Sequence, residues 1–146
     1  MKLIVERIKK LPEVEVLVRC KETPEKETEN LIAYLEQYSL NLIGSKAGAT
    51  YPISPADVCY IESVDDRTFL YLEQQVYESP LKLYQIEELL QRMPFVRIGK
   101  SVIANISWVE SVRPLLNGKL EVKMQNTEKL VVNRHYVKAF REKFEL

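Results

Sequence analysis

The first fifty residues show two different rhythms of apolar and polar side chains. Apolar residues stand at every second position from 14 to 20, the pattern of a half-buried β-strand. A second strand-like run covers residues 3–8. We therefore predict strands over 3–8 and 14–20, each with an edge that needs a partner.

The apolar period changes to that of a helix after residue 23. Thr23 suits the N-cap position, and Pro24 suits the first helical position because no backbone N–H is needed there. Four apolar residues then share one stripe: Leu31, Ile32, Leu35 and Tyr38. The pattern predicts a helix over 24–39 that ends near Ser39, followed by a turn or loop over 44–48.

Short strand-like runs separated by turn residues dominate the chain after residue 50. The predicted strands are 57–63, 67–72, 95–103, 107–113, 119–124 and 129–132. Three turn signals lie between them, namely Asp65-Asp66, Asn117-Gly118 and residues 125–127. Asn-Gly favours the type I′ turn of a β-hairpin, so neighbouring strands should pair antiparallel.

Two helices interrupt these strands. Ser79-Pro80 opens the first, and Pro94 closes it. The second covers about 134–144, where apolar residues recur at helical spacing. The predicted fold class is mainly β, α+β overall, with an antiparallel domain over 51–146 and a small α/β extension over 1–50.

Composition narrows the class of protein without changing this fold. The 146 residues are 46% hydrophobic and 29% charged, which is typical of a globular domain with a core of its own. No apolar run approaches the roughly 18 residues of a membrane span, and charges interrupt the apolar start of the chain. We therefore expect a soluble, cytoplasmic protein.

The zero net charge hides an uneven distribution. Residues 95–146 carry 10 basic and 5 acidic side chains, a net +5, whereas residues 1–94 carry 11 and 16, a net −5. The acidic excess lies in 51–94, because residues 1–50 hold eight side chains of each sign. A basic C-terminal third favours either a polyanionic partner or charge pairing within the molecule.

The residues give little support to an enzyme. His135 is the only histidine, and neither Ser101 nor Ser107 lies in a nucleophile elbow. Two cysteines, Cys20 and Cys59, exclude a disulfide framework and a zinc site built from four cysteines. No phosphate-binding glycine motif is present. We expect no enzymatic activity, no cofactor, no metal site and no small-molecule substrate.

Two polar clusters are the candidate sites. In residues 94–105 a glycine, two cations and a hydroxyl lie among apolar residues, which suits close approach to a phosphate or a base edge but equally suits a plain amphipathic strand. In residues 133–138 basic residues surround a predicted helix start, where solvent-facing charges are the ordinary explanation.

Taken together, residues 51–146 resemble the LytTR family of bacterial DNA-binding domains. Two linked motifs carry the resemblance: PFVRIGKSVIANI at residues 94–106 and VVNRHYV at residues 131–137. They correspond to a family pattern of roughly F-x-R-x-x-x-S-x-[IV]-[VA]-N followed by [IV]-x-[VI]-[SN]-R-x-Y. The segment IES at residues 61–63 and the Asn117-Gly118 turn fall in the same order as in the family.

The resemblance implies an elongated, mostly antiparallel β fold in which loops and strand ends enter the major groove of double-stranded DNA. It places seven residues in the DNA-binding set. Arg67, Lys100 and Arg134 correspond to base-contacting positions. Ser101, Arg97 and Asn133 correspond to backbone contacts or loop support, and Asn105 is included with a structural role as its alternative.

The resemblance also indicates how such a chain is used. Residues 1–50 are too short for a phosphoacceptor receiver domain, so we expect a stand-alone transcriptional regulator, acting as a homodimer or as paired monomers on repeated half-sites. Similar regulators are controlled by a small membrane-protein partner that acts as inhibitor. The alternative is a protein-interaction module that has kept the fold and lost DNA binding.

Overall fold

The computed structural model describes residues 1–23 and 25–144. Its ten strands are β1 (Leu42–Lys46), β2 (Ala49–Ile53), β3 (Tyr60–Val64), β4 (Arg67–Tyr71), β5 (Val76–Ser79), β6 (Phe95–Arg97), β7 (Val102–Asn105), β8 (Val109–Pro114), β9 (Leu120–Met124) and β10 (Lys129–Val132) among the described residues. The helices are α1 (Lys26–Ser39), α2 (Leu83–Leu89) and α3 (Val137–Phe144). Short 3₁₀ turns cover Pro55–Asp57, Ile106–Trp108, Leu116–Gly118 and Arg134–Tyr136.

The strands form two antiparallel sheets. The larger has seven strands in the order β2-β1-β5-β4-β3-β7-β6, and the smaller has three in the order β10-β9-β8. Every pairing in both sheets is antiparallel. The mainly β, antiparallel fold class predicted from the sequence is confirmed.

The turn residues explain why successive strands fold back on each other. Asp65 and Asp66 both adopt positive φ, at 50° and 63°, and close the β3–β4 hairpin. Asn117 and Gly118 do the same between β8 and β9, at 65° and 73°. Asp, Asn and Gly tolerate this left-handed region better than other residues do. Residues 125–127 turn the chain between β9 and β10, where Thr127 N donates to Met124 O at 3.0 Å, so the three predicted turns are present.

Alternation along the strands divides the core into two layers. On β3, Ile61 faces a cluster that includes α2 and Leu70, while Tyr60 on the opposite face joins a cluster with the small sheet and α3. Phe140 of α3 is fully buried in this second cluster. Each fully buried side chain of this size contributes about 1.5–3 kcal/mol of hydrophobic stabilisation, so both faces of the large sheet are anchored.

The predicted strand over 95–103 is wrong. The structure has two strands there, β6 and β7, which pair antiparallel with Arg97 opposite Ile103. Residues 98–101 form the connection, in which Ile98 N donates to Val102 O at 3.0 Å. The continuous apolar pattern hid the hairpin, because Ile98 is buried even though it lies in the loop.

The predicted strands over 3–8 and 14–20 are also wrong. Residues 1–23 form neither strand nor helix, and all their apolar side chains except the half-buried Val18 are exposed, for example 87% for Leu3 and 77% for Leu17. The alternating pattern is present, but no strand among the described residues pairs with these segments. Within the α/β extension predicted over 1–50, the described residues before β1 therefore contain one helix and no strand.

The predicted helix near 24–39 is present with a different beginning. Helix α1 starts at Lys26 with Glu25 as its N-cap, so Thr23 is not the cap. The proposed helix-initiating role of Pro24 lies outside the described residues. The helix ends at Ser39 as predicted.

The sequence analysis missed β2 and β5, and it expected a strand only near 41–43 where the structure has the longer β1. The predicted loop over 44–48 is partly β1, and only Ala47 and Gly48 form the turn to β2. Since β1 pairs with β5 through Ser45 and Glu78, this hairpin belongs to the large sheet. The boundary predicted after residue 50 therefore falls inside β2, whereas the sheet itself begins at Leu42.

The other two predicted helices are shorter than expected. The helix predicted from Ser79-Pro80 begins at Leu83, because Ser79 ends β5. The helix predicted over 134–144 starts with the 3₁₀ turn Arg134–Tyr136 and continues as α3. Among the helices in the described part of the chain, none combines the length and the apolar composition needed to cross a bilayer.

Candidate nucleic-acid interface

Three chain segments meet at one end of the sheets and line an open cleft of about 690 Å³. They are the β6–β7 connection, the β8–β9 turn and the junction between β10 and α3. The lining residues are Gly99, Lys100, Ser101, Val102, Asn117, Lys119, Val131, Asn133, Arg134, His135 and Tyr136. The structure therefore brings together Lys100, Ser101, Asn133 and Arg134, which the sequence analysis had placed in one set.

The side chain of Arg97 holds the β6–β7 connection in shape. Its Nε donates to Gly99 O at 2.9 Å and its Nη2 to Lys100 O at 2.5 Å, while Nη1 bonds Glu87 Oε1 at 3.2 Å. All three nitrogens thus have acceptors within the protein. Of the two roles predicted for Arg97, the geometry favours loop support over a phosphate contact.

The β6–β7 connection also rests directly on the β10–α3 junction. Asn133 N donates to Ile98 O at 2.9 Å. A Cβ atom added to Gly99 would lie 3.1 Å from Asn133 Nδ2, which is closer than such contacts normally allow. Glycine at this position therefore permits the two segments to approach each other.

Arg134 begins the 3₁₀ turn that leads into α3, and it is exposed to solvent. Its aliphatic stem passes Gly118 of the β8–β9 turn, where an added Cβ would lie 3.4 Å from Arg134 Cγ and Cδ. Within residues 1–23 and 25–144, its guanidinium has no hydrogen-bond acceptor and no ion-pair partner. The donor groups of Arg134 are therefore available to a ligand.

The cleft is electropositive. Lys100, Lys119 and Arg134 are exposed cations, and His135 is exposed beside them. None of the described residues that line the cleft is acidic. Cations held on loops with no acidic neighbour in the lining attract polyanions and concentrate them at the surface.

Arg67 lies at the same end of the large sheet but does not line the cleft. It starts β4 opposite Val64 of β3, and Ser63 N donates to Ser101 O at 2.8 Å, which links this hairpin tip to the β6–β7 connection. Unlike Arg134, it is engaged within the protein. Nη2 of Arg67 lies 2.5 Å from Oε1 of Glu78, and its Nε lies 3.2 Å from Oε2.

This ion pair shifts the titration of both partners. The hydrogen bond from Arg67 lowers the pKa of Glu78 below its ordinary value. The same hydrogen bond raises the pKa of Arg67. The carboxylate is therefore ionised at neutral pH, where the ion pair persists.

Asn105 does not reach the surface. It is fully buried at the end of β7, where its Nδ2 donates to Val58 O at 2.8 Å and its Oδ1 accepts from Ser107 N at 3.0 Å. These bonds tie the turn before β3 to the turn before β8. In this structure Asn105 supports the fold, which is the alternative role named for it, and it offers no atom to DNA.

One of the two cysteines lies in the core. Cys59 is buried, and burial raises the pKa of its thiol to about 12, so it stays protonated. The residues that the structure describes contain no group of three or more His, Cys, Asp or Glu side chains positioned to hold a metal ion.

Sequence reasoning missed Lys119 and Asn117 as members of the cleft. Asn117-Gly118 was interpreted only as a turn, yet the turn carries both residues to the rim beside Arg134. The available signal was a basic residue directly after a tight turn in the basic third of the chain.

Comparison with known proteins matches this chain to one family model. The model, described as the LytTr DNA-binding domain, matches residues 48–145. A solved LytTr DNA-binding domain of a Bacillus cereus response regulator superimposes with a TM-score of 0.68 at 23% sequence identity. That superposition covers 73% of this chain and 97% of the solved one, and it shows that the fold is shared.

Curated proteins with similar sequences carry names of regulators. The sensory transduction protein LytT of Enterococcus faecalis is 35% identical over 97 residues, covering 66% of this chain and 40% of that protein. The transcriptional regulatory protein YpdB of Escherichia coli K12 is 24% identical over 108 residues, covering 73% of this chain and 43% of that protein. The chain thus spans about 40% of the length of these relatives. An uncharacterized HTH-type transcriptional regulator of Staphylococcus aureus is also 24% identical, with 73% of its length covered.

Proposed function

We propose, since the chain belongs to the LytTR family of DNA-binding domains, that it is a cytoplasmic transcriptional regulator that binds double-stranded DNA of defined sequence. One observation carries the proposal. Three exposed cations, Lys100, Lys119 and Arg134, are presented by three different loops around one cleft, and no acidic residue is among the described residues of its lining. Such a surface fits the phosphates and the base edges of a duplex.

Each side chain of the cleft has a chemically distinct part in this proposal. Arg134, whose guanidinium has no acceptor among the described residues, donates two hydrogen bonds to O6 and N7 of a guanine in the major groove. Lys100 contacts a guanine or a phosphate. Ser101, Asn133 and Lys119 contact the phosphate backbone and set the position of the protein on the duplex.

The elements that carry these residues are loops and strand ends. Arg134 lies in a single 3₁₀ turn, and Lys100 lies between β6 and β7. The hydrogen bonds from Arg97 to Gly99 O and Lys100 O, and the close approach of Gly99 to Asn133, fix the shape of this surface before DNA binds. Pre-ordering supports specific recognition because less conformational freedom is lost on binding.

The test is a binding titration against duplexes selected from a random library, with Arg134→Ala as the diagnostic variant. We expect the wild type to prefer a defined sequence, with log K falling against log salt at a slope near −4.5 if about five phosphates are neutralised. Arg134→Ala should lose about 1–3 kcal/mol on the selected sequence and discriminate less at one base pair.

Arg92→Ala is the matched control. Arg92 is exposed and precedes β6 at the end opposite the β6–β7 connection, so the same charge is removed far from the cleft. Its affinity should stay close to that of the wild type. Wild-type binding that is independent of salt, or equal for all duplexes, would contradict the proposal and favour a protein-interaction module.

We further propose that the region before β1 joins two copies of the chain. Residues 1–23 expose large apolar side chains, for example Ile4 at 68% and Val14 at 89%. Residues 1–11 carry four basic side chains and one acidic side chain. Residues 12–22 carry two basic and three acidic side chains. Two such arms placed antiparallel in a symmetric dimer bring opposite charges together and cover both apolar runs.

The membrane-protein inhibitor that the family resemblance suggested is the other candidate occupant of this region. The charge complementarity between the two halves of the arm supports a second copy instead. A dimer would also place two clefts on one duplex, which matches recognition of repeated half-sites and increases the avidity for DNA.

A further inference from the structure

Arg67 is the one predicted base-contacting residue that has a strong partner inside the described protein. Its Nη2 and Nε bond the two carboxylate oxygens of Glu78 at 2.5 and 3.2 Å, so the contact is bidentate. The side chain of Arg67 is nevertheless 63% exposed. The ion pair restricts the rotamers of a side chain that would otherwise move freely at the surface.

The position of Glu78 follows from the strand register. On β5 it lies directly opposite Phe69 of β4, and Arg67 is two residues before Phe69 on the same face. Glu78 is thus a diagonal cross-strand neighbour, within reach of a long side chain. The ring of Phe69 supports the same guanidinium from another side, 5.3 Å from Cζ.

This geometry leaves one edge of the guanidinium free. Glu78 occupies Nε–H and one hydrogen of Nη2, while both hydrogens of Nη1 and the second hydrogen of Nη2 point away from the carboxylate. The free edge has the two parallel donors that match O6 and N7 of guanine. The carboxylate therefore leaves the recognition edge of Arg67 open while restricting how the side chain can turn.

We propose that Glu78 is a positioning residue that holds Arg67 for reading a guanine, and so helps to determine which DNA sequence is bound. This inference rests on the proposed function. Because the β3–β4 tip is hydrogen-bonded to Ser101, a fixed Arg67 also keeps a fixed offset from Lys100. The ion pair thereby sets the spacing between two reading positions on the duplex.

Simple electrostatics predicts the opposite effect for this carboxylate. A negative charge beside the DNA-binding surface repels phosphates, so its removal alone would strengthen binding to every duplex. If Glu78 positions Arg67, its removal instead weakens binding to the selected sequence. The sign of the change distinguishes the two roles.

The experiment compares Glu78→Ala and Glu78→Gln with the wild type, using titrations of the selected duplex and of duplexes with single base-pair changes. We expect Glu78→Ala to lose roughly ten- to thirty-fold in affinity for the selected duplex, the factor that ordering a free arginine costs. The loss should disappear at duplexes altered at the guanine that Arg67 reads. The affinity of Glu78→Gln, which keeps an acceptor of the same shape, should lie between those of the wild type and Glu78→Ala.

Two further variants complete the test. In an Arg67→Ala background, Glu78→Ala should cause no further loss, because the group that it positions is gone. Glu110→Ala is the matched control: it removes another ion-paired carboxylate, 3.1 Å from Lys123, at the far end of β8 from the cleft. We expect it to leave the base preference unchanged.

Several results would overturn the inference. They are equal or tighter binding of Glu78→Ala with unchanged base preference, or a loss that persists without Arg67. If the wild type discriminates and Arg134→Ala loses that discrimination, such a result removes the inference and leaves the proposed function standing. A wild type that binds every duplex equally removes both.

Discussion

Two parts of this chain have similar apolar patterns and opposite structural outcomes. In residues 42–144 the alternating strands pair with one another, and all buried side chains of the described residues lie between Leu42 and Phe140. In residues 1–23 the same alternation leaves large apolar side chains exposed. A periodic pattern tells which face of a segment would be buried, but burial itself requires a partner.

Helix α1 lies between these two extremes. Its apolar stripe is partly covered at Leu31 and Leu35, whereas Tyr34 and Tyr38 are 59% and 76% exposed. No residue of the helix whose side chain is described is fully buried. Since most helical stability in proteins comes from packing, α1 depends on whatever covers that stripe.

The largest expected effect is the loss of a core side chain. Phe140→Ala removes a fully buried ring between α3 and the two sheets, and we expect the free energy of unfolding to fall by about 3–5 kcal/mol. Urea unfolding followed by circular dichroism measures it. Leu17→Ala is the counterpart in the arm, and it should change the value by less than about 0.5 kcal/mol at concentrations where the chain is monomeric. A similar cost for both would remove the distinction between the regions.

Loss of a buried polar side chain should have an intermediate effect on stability, and a matched exposed residue on α1 provides the comparison. Asn105→Ala leaves Val58 O and Ser107 N without their side-chain partner in a buried turn, and we expect a loss of about 1–3 kcal/mol in unfolding free energy. Asn30→Ala on α1 removes an exposed amide and should be nearly neutral. DNA titrations should find Asn105→Ala close to wild-type affinity once corrected for the folded fraction. A specific loss of base preference would instead assign Asn105 to the interface.

Local signals were sufficient where the structure is built from neighbours in sequence. The β3–β4 hairpin around Asp65-Asp66 and the β9–β10 hairpin needed only alternation and turn residues, and both are present. Two of the three cleft cations, Lys100 and Arg134, were predicted because each lies within one of the two short motifs, whereas Lys119 lies outside both and was missed. Such elements depend on contacts a few residues apart, which a pattern in the sequence can reveal.

Strands that depend on distant partners could not be predicted in this way. Glycine is required at position 44 of β1, because an added Cβ would collide with Ile53 Cδ1 and Tyr77 Cβ, although the neighbouring residues suggest a loop. The contact with Tyr77 exists only because β1 pairs with β5. The ion pair of Arg67 and Glu78 likewise depends on the register of β4 against β5. That register cannot be predicted from the spacing of eleven residues between the two side chains.

The smallest expected change in stability comes from deleting the arm. A chain that begins at residue 24 lacks no buried residue, since all of residues 1–23 are exposed except the half-buried Val18, and it keeps β1, which a chain beginning at residue 51 would lose. We expect its unfolding free energy, measured on monomer, to stay within about 0.5 kcal/mol of the full chain. In sedimentation experiments the full chain should dimerise and the shortened chain should remain monomeric.

A point variant in the full chain separates loss of the arm from loss of length. Val16→Asp places a charge in the apolar run and should give a monomer as well, because burying an unpaired carboxylate between two arms costs more than the apolar contact returns. Both variants should keep the base preference of the wild type and bind repeated half-sites more weakly, since avidity is lost. A shortened chain that still dimerises would place the second copy elsewhere. A shortened chain that folds well but has no sequence preference would mean that the arm itself contacts the bases. The division between a DNA-binding region over 42–144 and a dimerising arm over 1–23 would then be wrong.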